Sequence, residues 1–315
     1  MWMVDGGVVD MILYDIIQRF SEEYSDISGE ICGNSEINID GMNLCNRETE
    51  HQSIISYVSS DKYLNILETA NSVKALIVNA DDFSVYRKII IEKKGALIVT
   101  SNPERYFYRL HEFLYAKMDF YPKYDFRPVI GRDCNIANSA VIENGVIIGN
   151  KVTIGENTVI KHGSVIEDNV TIGCNTTIGS EGFQLIADAS NPPMHISHAG
   201  GCYLSKNVYV GDNCCVCNSL FEGYTFVGEN TKIDNLVHVA HNLYIGKNVV
   251  VTAHVILCGS SRVEDGAWIA PNSSVLNRVT IGRYAKVGMG SVVTRDVLPG
   301  TIVFGSPAKE HKKKC

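Results

Sequence analysis

The chain lacks the features of several large protein classes. No apolar run approaches the ~20 residues that a membrane-spanning helix needs, and neither terminus has the pattern of a signal peptide. Basic residues do not predominate, since 28 Lys and Arg against 35 Asp and Glu give a net charge of −7. We therefore expect a cytoplasmic protein with no membrane span, and the acidic balance argues against a nucleic-acid partner.

Signs of a disulfide framework or a zinc site are also missing. Ten cysteines are present, but without an export signal they are expected to be reduced and mostly buried. The stretch Cys214-Cys215-Val216-Cys217 lacks the paired CxxC spacing of a zinc site, so we expect no metal.

What the chain does have is an aliphatic residue at every sixth position. A helix repeats at 3.6 residues and a strand at 2, so neither keeps this period. A hexapeptide period is typical of a left-handed parallel β-helix, in which six residues form one short strand and its corner. With three strands to a triangular coil, residues 18 apart lie above one another at about 4.8 Å. The aliphatics in step are Ile130, Ile136, Ile142, Ile148, Ile154, Ile160, Ile166, Ile172 and Ile178, then Leu204, Val210 and Val216, then Val227 to Val293 in steps of six.

The period divides the chain into parts. Residues 1–120 show no hexad and predict a small α/β domain, with a helix over 9–24, strands over 53–58, 75–78 and 96–99, and a second helix that begins after Asn102-Pro103. Residues 128–300 predict about eight coils, interrupted by an outward loop over 179–203. Residues 301–315 are expected to form a basic tail. The fold class is therefore mainly β, with a small α/β domain before the coil.

A β-helix fills its interior with aliphatic side chains, so chemistry must occur on an outer face. A concave site then needs a neighbouring subunit, and we expect a homotrimer with clefts between neighbours.

The candidate centre is His241, because the residue 18 positions further on is Gly259. A backbone N–H above an imidazole, with no side chain to block approach, is a plausible oxyanion donor, and a neutral imidazole can accept a proton. This pair suits acyl transfer. Glu222 and Asp234 compete as the acid that orients the imidazole, and either could equally be a solvated corner residue.

The segment 232–246, KIDNLVHVAHNLYIG, resembles the catalytic segment of the UDP-3-O-acylglucosamine N-acyltransferases of lipid A synthesis. The resemblance implies that His241 is the general base and that Gly259 supplies the oxyanion N–H. Residues 178–183, IGSEGF, are similar to the opening of the family's substrate loop. The resemblance further implies a substrate site that contains Phe183, His198 and Asn242.

The segment 57–63 is similar to the family's uracil-binding strand and turn. This implies that Tyr57 and Tyr63 stack on the base, while Ser60 stands where the family has an Asn. Two tyrosines of the domain core are the alternative interpretation.

The end of the chain departs from that family and resembles the CoA-dependent acetyltransferases of nucleotide-linked amino sugars. Arg278 stands where the first family has a second histidine, and the helical extension that binds acyl carrier protein is replaced by residues 287–309. Basic side chains suit the phosphates of CoA, so the predicted CoA site contains Arg278, Lys286, Arg295 and Lys309.

The sequence therefore predicts an N-acyltransferase that moves a short acyl group from acyl-CoA, most simply acetyl-CoA, to a nucleotide-linked amino sugar for a surface glycan such as lipopolysaccharide. A lipid A enzyme that uses acyl carrier protein and a sugar O-acyltransferase are the alternatives. A metal hydrase would need histidines that converge on zinc, and His238, His241 and His254 do not share the 18-residue spacing. A non-catalytic scaffold would be expected to repeat one outward residue type, which this chain does not do.

Overall fold

The computed structural model describes residues 11–47, 49–188 and 191–311. The chain forms two compact units. Of the described residues, the first contains those from 11 to 123 together with those from 184 to 197, and the second contains those from 124 to 183 and from 198 to 311.

The first unit is built on a five-stranded sheet with the strand order β2-β7-β6-β5-β4. Its strands are parallel except that β2 runs antiparallel to β7, and β1 pairs separately with β3. The central strand β6 is almost wholly apolar and buried, as expected for a parallel strand covered on both faces. The strands are β1 Met11–Ile12, β2 Glu30–Gly33, β3 Asn38–Ile39, β4 Gly41–Met42, β5 Ile54–Tyr57, β6 Val73–Val78 and β7 Ala96–Val99.

Four α-helices accompany this sheet in the described part of the chain. The helix predicted over 9–24 begins at Leu13, and residues 9 and 10 lie outside the described part of the chain. The last helix begins as predicted, because the Asn102 side chain accepts a hydrogen bond from the Arg105 N–H at 3.0 Å and Pro103 fills the first turn. The helices are α1 Leu13–Glu23, α2 Leu64–Thr69, α3 Phe83–Glu92 and α4 Pro103–Lys117, with a 3₁₀ turn at Asp61–Tyr63.

The second unit is a three-faced parallel β-helix, which confirms the predicted fold class. Face I consists of Val129–Ile130, Ile147–Ile148, Val165–Ile166, Gly201–Leu204, Tyr224–Val227, Tyr244–Ile245, Arg262–Val263 and Thr280–Ile281. Face II consists of Asn135–Ile136, Thr153–Ile154, Thr171–Ile172, Tyr209–Val210, Lys232–Ile233, Val250–Val251, Trp268–Ile269, Lys286–Val287, Ile302–Phe304 and Lys309–Glu310. Face III consists of Val141–Ile142, Val159–Ile160, Thr177–Ser180, Cys215–Cys217, His238–Val239, Ile256–Leu257, Ser274–Val275 and Val292–Val293.

The register follows the predicted 18-residue spacing between most adjacent coils without an insertion, but the last coil is shorter, so that Lys286 pairs with Ile302, 16 residues further on. Ile142 pairs with Ile160, and Val239 pairs with Leu257, each in parallel. The aliphatics in step form one continuous core along the coil axis, and nearly all are fully buried. Removing each such side chain from water contributes about 1.5–3 kcal/mol, which explains why the period is kept so strictly.

At the corners of the coil, the residue with a left-handed backbone conformation is more often asparagine than glycine. The residue with positive φ recurs every six positions and is most often Asn, as at Asn157 and Asn248. Glycines such as Gly131 and Gly228 lie where successive coils approach closely. A Cβ on Gly131 would lie 2.4 Å from the Gly149 carbonyl oxygen.

Two insertions interrupt the coil. The first contains an antiparallel hairpin, Leu185–Asp188 with Asn191–His195, which belongs to the first compact unit. Its end is held by α4, where Glu112 accepts hydrogen bonds from the Ser197 N–H and hydroxyl and where the His111 Nε2 donates to the Ser197 carbonyl at 2.8 Å. The second insertion is a six-residue corner, Asn218 to Gly223.

The end of the chain forms more strand structure than the predicted basic tail would. Residues 302–304 add a strand to face II, and residues 309–310 pair back onto it, so the range 301–315 is partly built into the sheet. Residues 312–315 lie outside the described part of the chain. Among the described residues, no helix combines the length and apolar character needed to cross a membrane.

Candidate active site

His241 lies at the corner where the chain leaves face III for face I. The strand His238–Val239 places Val239 in the core, and the chain turns through His241 and Asn242 before Tyr244–Ile245. Asn242 has a φ of 57°, which is the left-handed value of the other corners. The imidazole is therefore carried by a rigid turn of the repeat and is only partly buried.

The Asn242 side chain fixes the tautomer of this imidazole. The Leu220 N–H donates to the Asn242 Oδ1 at 3.1 Å, and the Nδ2 lies within hydrogen-bond distance of the Ser219 hydroxyl. The atom 2.9 Å from the His241 Nδ1 is therefore an oxygen, so Nδ1 must carry the proton and donate. The lone pair of the neutral ring then lies on Nε2.

Gly259 lies against this Nε2, one coil further on. A Cβ built on Gly259 would be 2.6 Å from the His241 Nε2 and 2.9 Å from Cε1. The Ser260 N–H donates to the His241 carbonyl at 2.9 Å, which ties the two corners together. Within the described chain, the Gly259 N–H makes no backbone hydrogen bond of its own. A proton acceptor and a backbone donor therefore share one small space.

The start of the first insertion closes one side of the corner that carries His241. A Cβ on Gly182 would lie 2.4 Å from the His198 Nε2 and 2.9 Å from the His241 Cβ. The His198 ring is 5.2 Å from the His241 ring in an edge-on arrangement and is only 2% exposed. The buried His198 ring therefore packs against His241. Phe183, which was also predicted to bind substrate, is 79% exposed.

The two acids predicted to compete for the imidazole lie in different places. Glu222 is half-buried in the corner of the second insertion, where its carbonyl accepts from the Ser219 hydroxyl at 2.6 Å. Asp234 lies at the corner between faces II and III, at the opposite end of the strand from His241. There its Oδ1 accepts from the Asn235 N–H at 2.8 Å. The geometry therefore makes Asp234 a turn residue rather than a partner of His241.

The residues predicted to hold a uracil ring lie on the first unit. Tyr57 packs against Phe107 with 4.9 Å between ring centroids and contacts the Glu104 carboxylate through its hydroxyl, and burial raises the pKa of Tyr57. Tyr63 is half-buried beside the core of α2 and α3, and the Ser60 carbonyl accepts from the Tyr86 hydroxyl at 2.8 Å. Tyr57 and Tyr63 therefore pack against different parts of the domain core.

The four basic residues predicted for CoA are all exposed, but they do not form one cluster. Arg278 and Arg295 lie on the same corner of the coil as His241, and the Arg278 N–H donates to the Gly259 carbonyl. Lys286 and Lys309 lie on face II, which is opposite that corner of the triangle. Only the two arginines can contribute to a site beside His241 on the same chain.

Sequence reasoning missed the group that orients the imidazole. Asn242 was expected to bind substrate, because an Asn at this point of the hexad has the appearance of an ordinary corner residue. Its contacts with Ser219 and Leu220 depend on the second insertion, which the period does not predict. The neighbouring dipeptide His-Asn was the only signal available.

Family models and relatives support the resemblance that the sequence indicates. The bacterial transferase hexapeptide model (six repeats) matches residues 127–162, 145–180, 224–259 and 260–295. A UDP-3-O-acylglucosamine N-acyltransferase of Caulobacter sp. (strain K31) is 38% identical over 120 residues, which are 38% of this chain and 35% of that protein. Its counterpart in Maricaulis maris is 35% identical over 135 residues, or 43% and 39% of the two chains. The chain thus spans little more than a third of the curated relatives it matches.

Solved structures support the fold. The UDP-N-acetylglucosamine acyltransferase from Campylobacter jejuni superposes with a TM-score of 0.51 at 19% identity, covering 58% of this chain and 69% of that one. The enzyme of the same name from Bacteroides fragilis gives 0.51 at 22% identity, covering 61% and 71%. The second unit is therefore a left-handed β-helix of bacterial transferase hexapeptide repeats, and the chain is similar to the UDP-3-O-acylglucosamine N-acyltransferases.

Proposed function

We propose that the protein transfers an acyl group to the amine of a UDP-linked glucosamine derivative. The observation that carries this proposal is the His241 imidazole, whose Nδ1 is held by Asn242 and whose Nε2 faces Gly259. The names of the relatives support the UDP-sugar and the amide product. A base and a backbone donor on one wall, without a side-chain nucleophile between them, suit direct attack by an amine on a thioester.

The reaction needs one proton acceptor and one oxyanion donor. The sugar amine attacks the thioester carbonyl carbon, and a C–N bond forms while the His241 Nε2 takes the amine proton. The Gly259 N–H donates to the oxyanion of the tetrahedral intermediate. Collapse of the intermediate breaks the C–S bond, and the protonated His241 gives its proton to the departing thiolate. Glu222 remains a candidate to hold the amine or the imidazolium.

The acyl donor is the point on which the two interpretations of the sequence differ. The relatives carry the name of a lipid A enzyme, which favours the alternative with acyl carrier protein over the acyl-CoA interpretation. The distribution of the basic residues agrees, since only Arg278 and Arg295 share the corner of His241. We therefore propose a hydroxyacyl thioester on acyl carrier protein as the donor.

Two further parts of the proposal concern assembly and recognition. A homotrimer would supply the second wall of the site, and exposed apolar side chains on face III, among them Ile256 and Val292, are suited to an interface. The first unit would bind the uridine, with Tyr57, Ser60 and Tyr63 as candidates. Light scattering of the purified protein tests the first part, and the KM for UDP-sugar in Tyr63→Ala tests the second.

The decisive experiment presents UDP-3-O-acylglucosamine with 3-hydroxyacyl-acyl carrier protein or with acetyl-CoA and follows the product by mass spectrometry. We expect the mass of one added acyl group with the carrier-protein donor, stable to mild alkali as an amide is. Consumption of acetyl-CoA alone would restore the CoA interpretation. An alkali-labile product would identify an O-acyltransferase, and no product with either donor would overturn the proposed activity.

A further inference from the structure

A second cluster of reactive side chains lies on face III, outside the proposed acyl-transfer machinery. Cys215, Cys217 and His238 offer two sulfurs and one ring nitrogen, and these atoms all lie within 4.8 Å of one another. The two sulfurs are 4.0 Å apart. The sequence predicted no metal here, because Cys214-Cys215-Val216-Cys217 lacks a matching second pair of cysteines.

The fold brings these three side chains together in two steps. Val216 points into the core, so strand alternation places Cys215 and Cys217 on the opposite side of the same strand. On the next coil His238 precedes the buried Val239, and it pairs directly with Cys215 in parallel register. The separation between Cys215 and His238 is 23 residues rather than 18, because the second insertion lengthens this coil.

The donor set and its spacing suit a tetrahedral zinc ion. Thiolate and imidazole are the ligands that zinc prefers, and at a Zn–S distance of about 2.3 Å two tetrahedral sulfurs lie about 3.8 Å apart. The observed separation of 4.0 Å therefore needs little movement. Cys217 is only 3% exposed, and Cys215 and His238 are half-buried, so the ion would be partly shielded from water.

We propose that Cys215, Cys217 and His238 bind one zinc ion, which leaves a fourth position for water or an external ligand. On binding, each thiol releases its proton to solvent and His238 coordinates as the neutral ring. No step of the proposed acyl transfer passes through this ion, so the site stands independently of that proposal.

The position of the site suggests what the ion would do. Cys217 lies two residues before Ser219, whose hydroxyl contacts Asn242, and His238 lies three residues before His241. A bond from both coils to one ion would brace the two segments that hold the catalytic corner. We expect the ion to stabilise this part of the coil rather than to take part in chemistry.

Cobalt(II) gives a direct test, because tetrahedral thiolate ligation produces intense visible bands and sulfur-to-cobalt charge transfer. The full-length protein is reduced, freed of metal with a chelator and titrated with cobalt, and zinc is then added as a competitor. We expect one equivalent of cobalt bound through thiolate and displaced by zinc. Cys215→Ser and His238→Ala should each weaken binding at least about 100-fold, whereas Cys174→Ser, a matched change elsewhere on the coil, should bind as the wild type does.

Thermal melts by circular dichroism separate loss of the site from loss of the fold. Zinc should raise the Tm of the wild type and of Cys174→Ser but not that of His238→Ala, whose outward side chain can be removed without opening the core. The proposal is overturned if the reduced protein binds no cobalt, or if Cys215→Ser and His238→Ala bind it as tightly as Cys174→Ser does.

Discussion

Two histidines occupy the same position of the hexad, at the corner between faces III and I. His162 follows the buried Ile160 by two residues, as His241 follows Val239. The His162 Nδ1 contacts the Glu143 carboxylate at 3.1 Å, whereas the His241 Nδ1 contacts the neutral amide of Asn242 at 2.9 Å.

The difference in partner gives the two imidazoles different chemistry. A carboxylate places a negative charge beside the ring, whereas an amide oxygen selects a tautomer without adding charge. The residue 18 positions further on is Ser180 for His162 and Gly259 for His241. One position of the repeat can thus hold a histidine that contacts a carboxylate or a histidine whose Nε2 faces a glycine. The repeat determines where the histidine lies, and the neighbouring side chains determine its chemistry.

The largest effect expected from this comparison is the loss of catalysis in His241→Ala. Removing a general base lowers kcat by about 10²–10⁴-fold, whereas His162→Ala should keep the wild-type rate. Both variants are assayed for acyl transfer under identical conditions. Equal rates in wild type and His241→Ala would contradict the assigned role.

Gly259→Ala is expected to lower kcat by about 10²–10³-fold. The new Cβ would lie 2.6 Å from the His241 Nε2 and would occupy the space of the oxyanion. The Tm should change far less than the rate, because this corner is only partly buried and can adjust. A variant with normal turnover would show that the oxyanion is held elsewhere.

Asn242→Asp should make the corner that carries His241 resemble that of His162. A carboxylate beside Nδ1 stabilises the imidazolium, so the pKa of His241 rises and the base is neutral only at higher pH. We expect the acidic limb of kcat/KM to move upward by about 1 pH unit. The measurement is a pH profile of both proteins, and an unshifted limb would mean that Asn242 does not orient the base.

The smallest effect concerns the stability contributed by Glu143. Burial acts to raise its pKa, but hydrogen bonds from the His162 N–H and ring outweigh it, so the pKa of Glu143 lies below its usual 4.5. A carboxyl with a lowered pKa in the folded state stabilises the protein above pH 4.5, and this contribution is lost as the pH falls through the folded value. In urea unfolding, Glu143→Gln should therefore cost about 0.5 kcal/mol or less at neutral pH, and progressively less as the pH falls below 4.5. A cost that is unchanged by pH would contradict the contribution of the Glu143 hydrogen bonds.

The fold was largely predictable because one physical constraint repeats along the chain. A buried aliphatic every six residues specifies a triangular coil, and the 18-residue spacing correctly places Gly259 against His241. The helix after Asn102 was predictable as well, because its cap is local.

The rest depends on the insertions, which have no period. The corner from Asn218 to Gly223 brings Leu220 and Ser219 to Asn242, and it shifts His238 onto Cys215. A fixed 18-residue rule would pair His238 with Leu220 instead. Spacing alone cannot predict which residues lie close together across an insertion, because the sequence does not give the shape of the insertion.

The position of His241 along the stack of coils has a consequence for how the protein opens. Each strand bonds only to those of the adjacent coils, so the solenoid should fray from its two ends. On face III, four strands precede His238–Val239 and three follow it. The corner that carries His241 therefore lies in the segment where amide hydrogens should exchange most slowly, and it would keep its geometry while coils at either end unfold and refold.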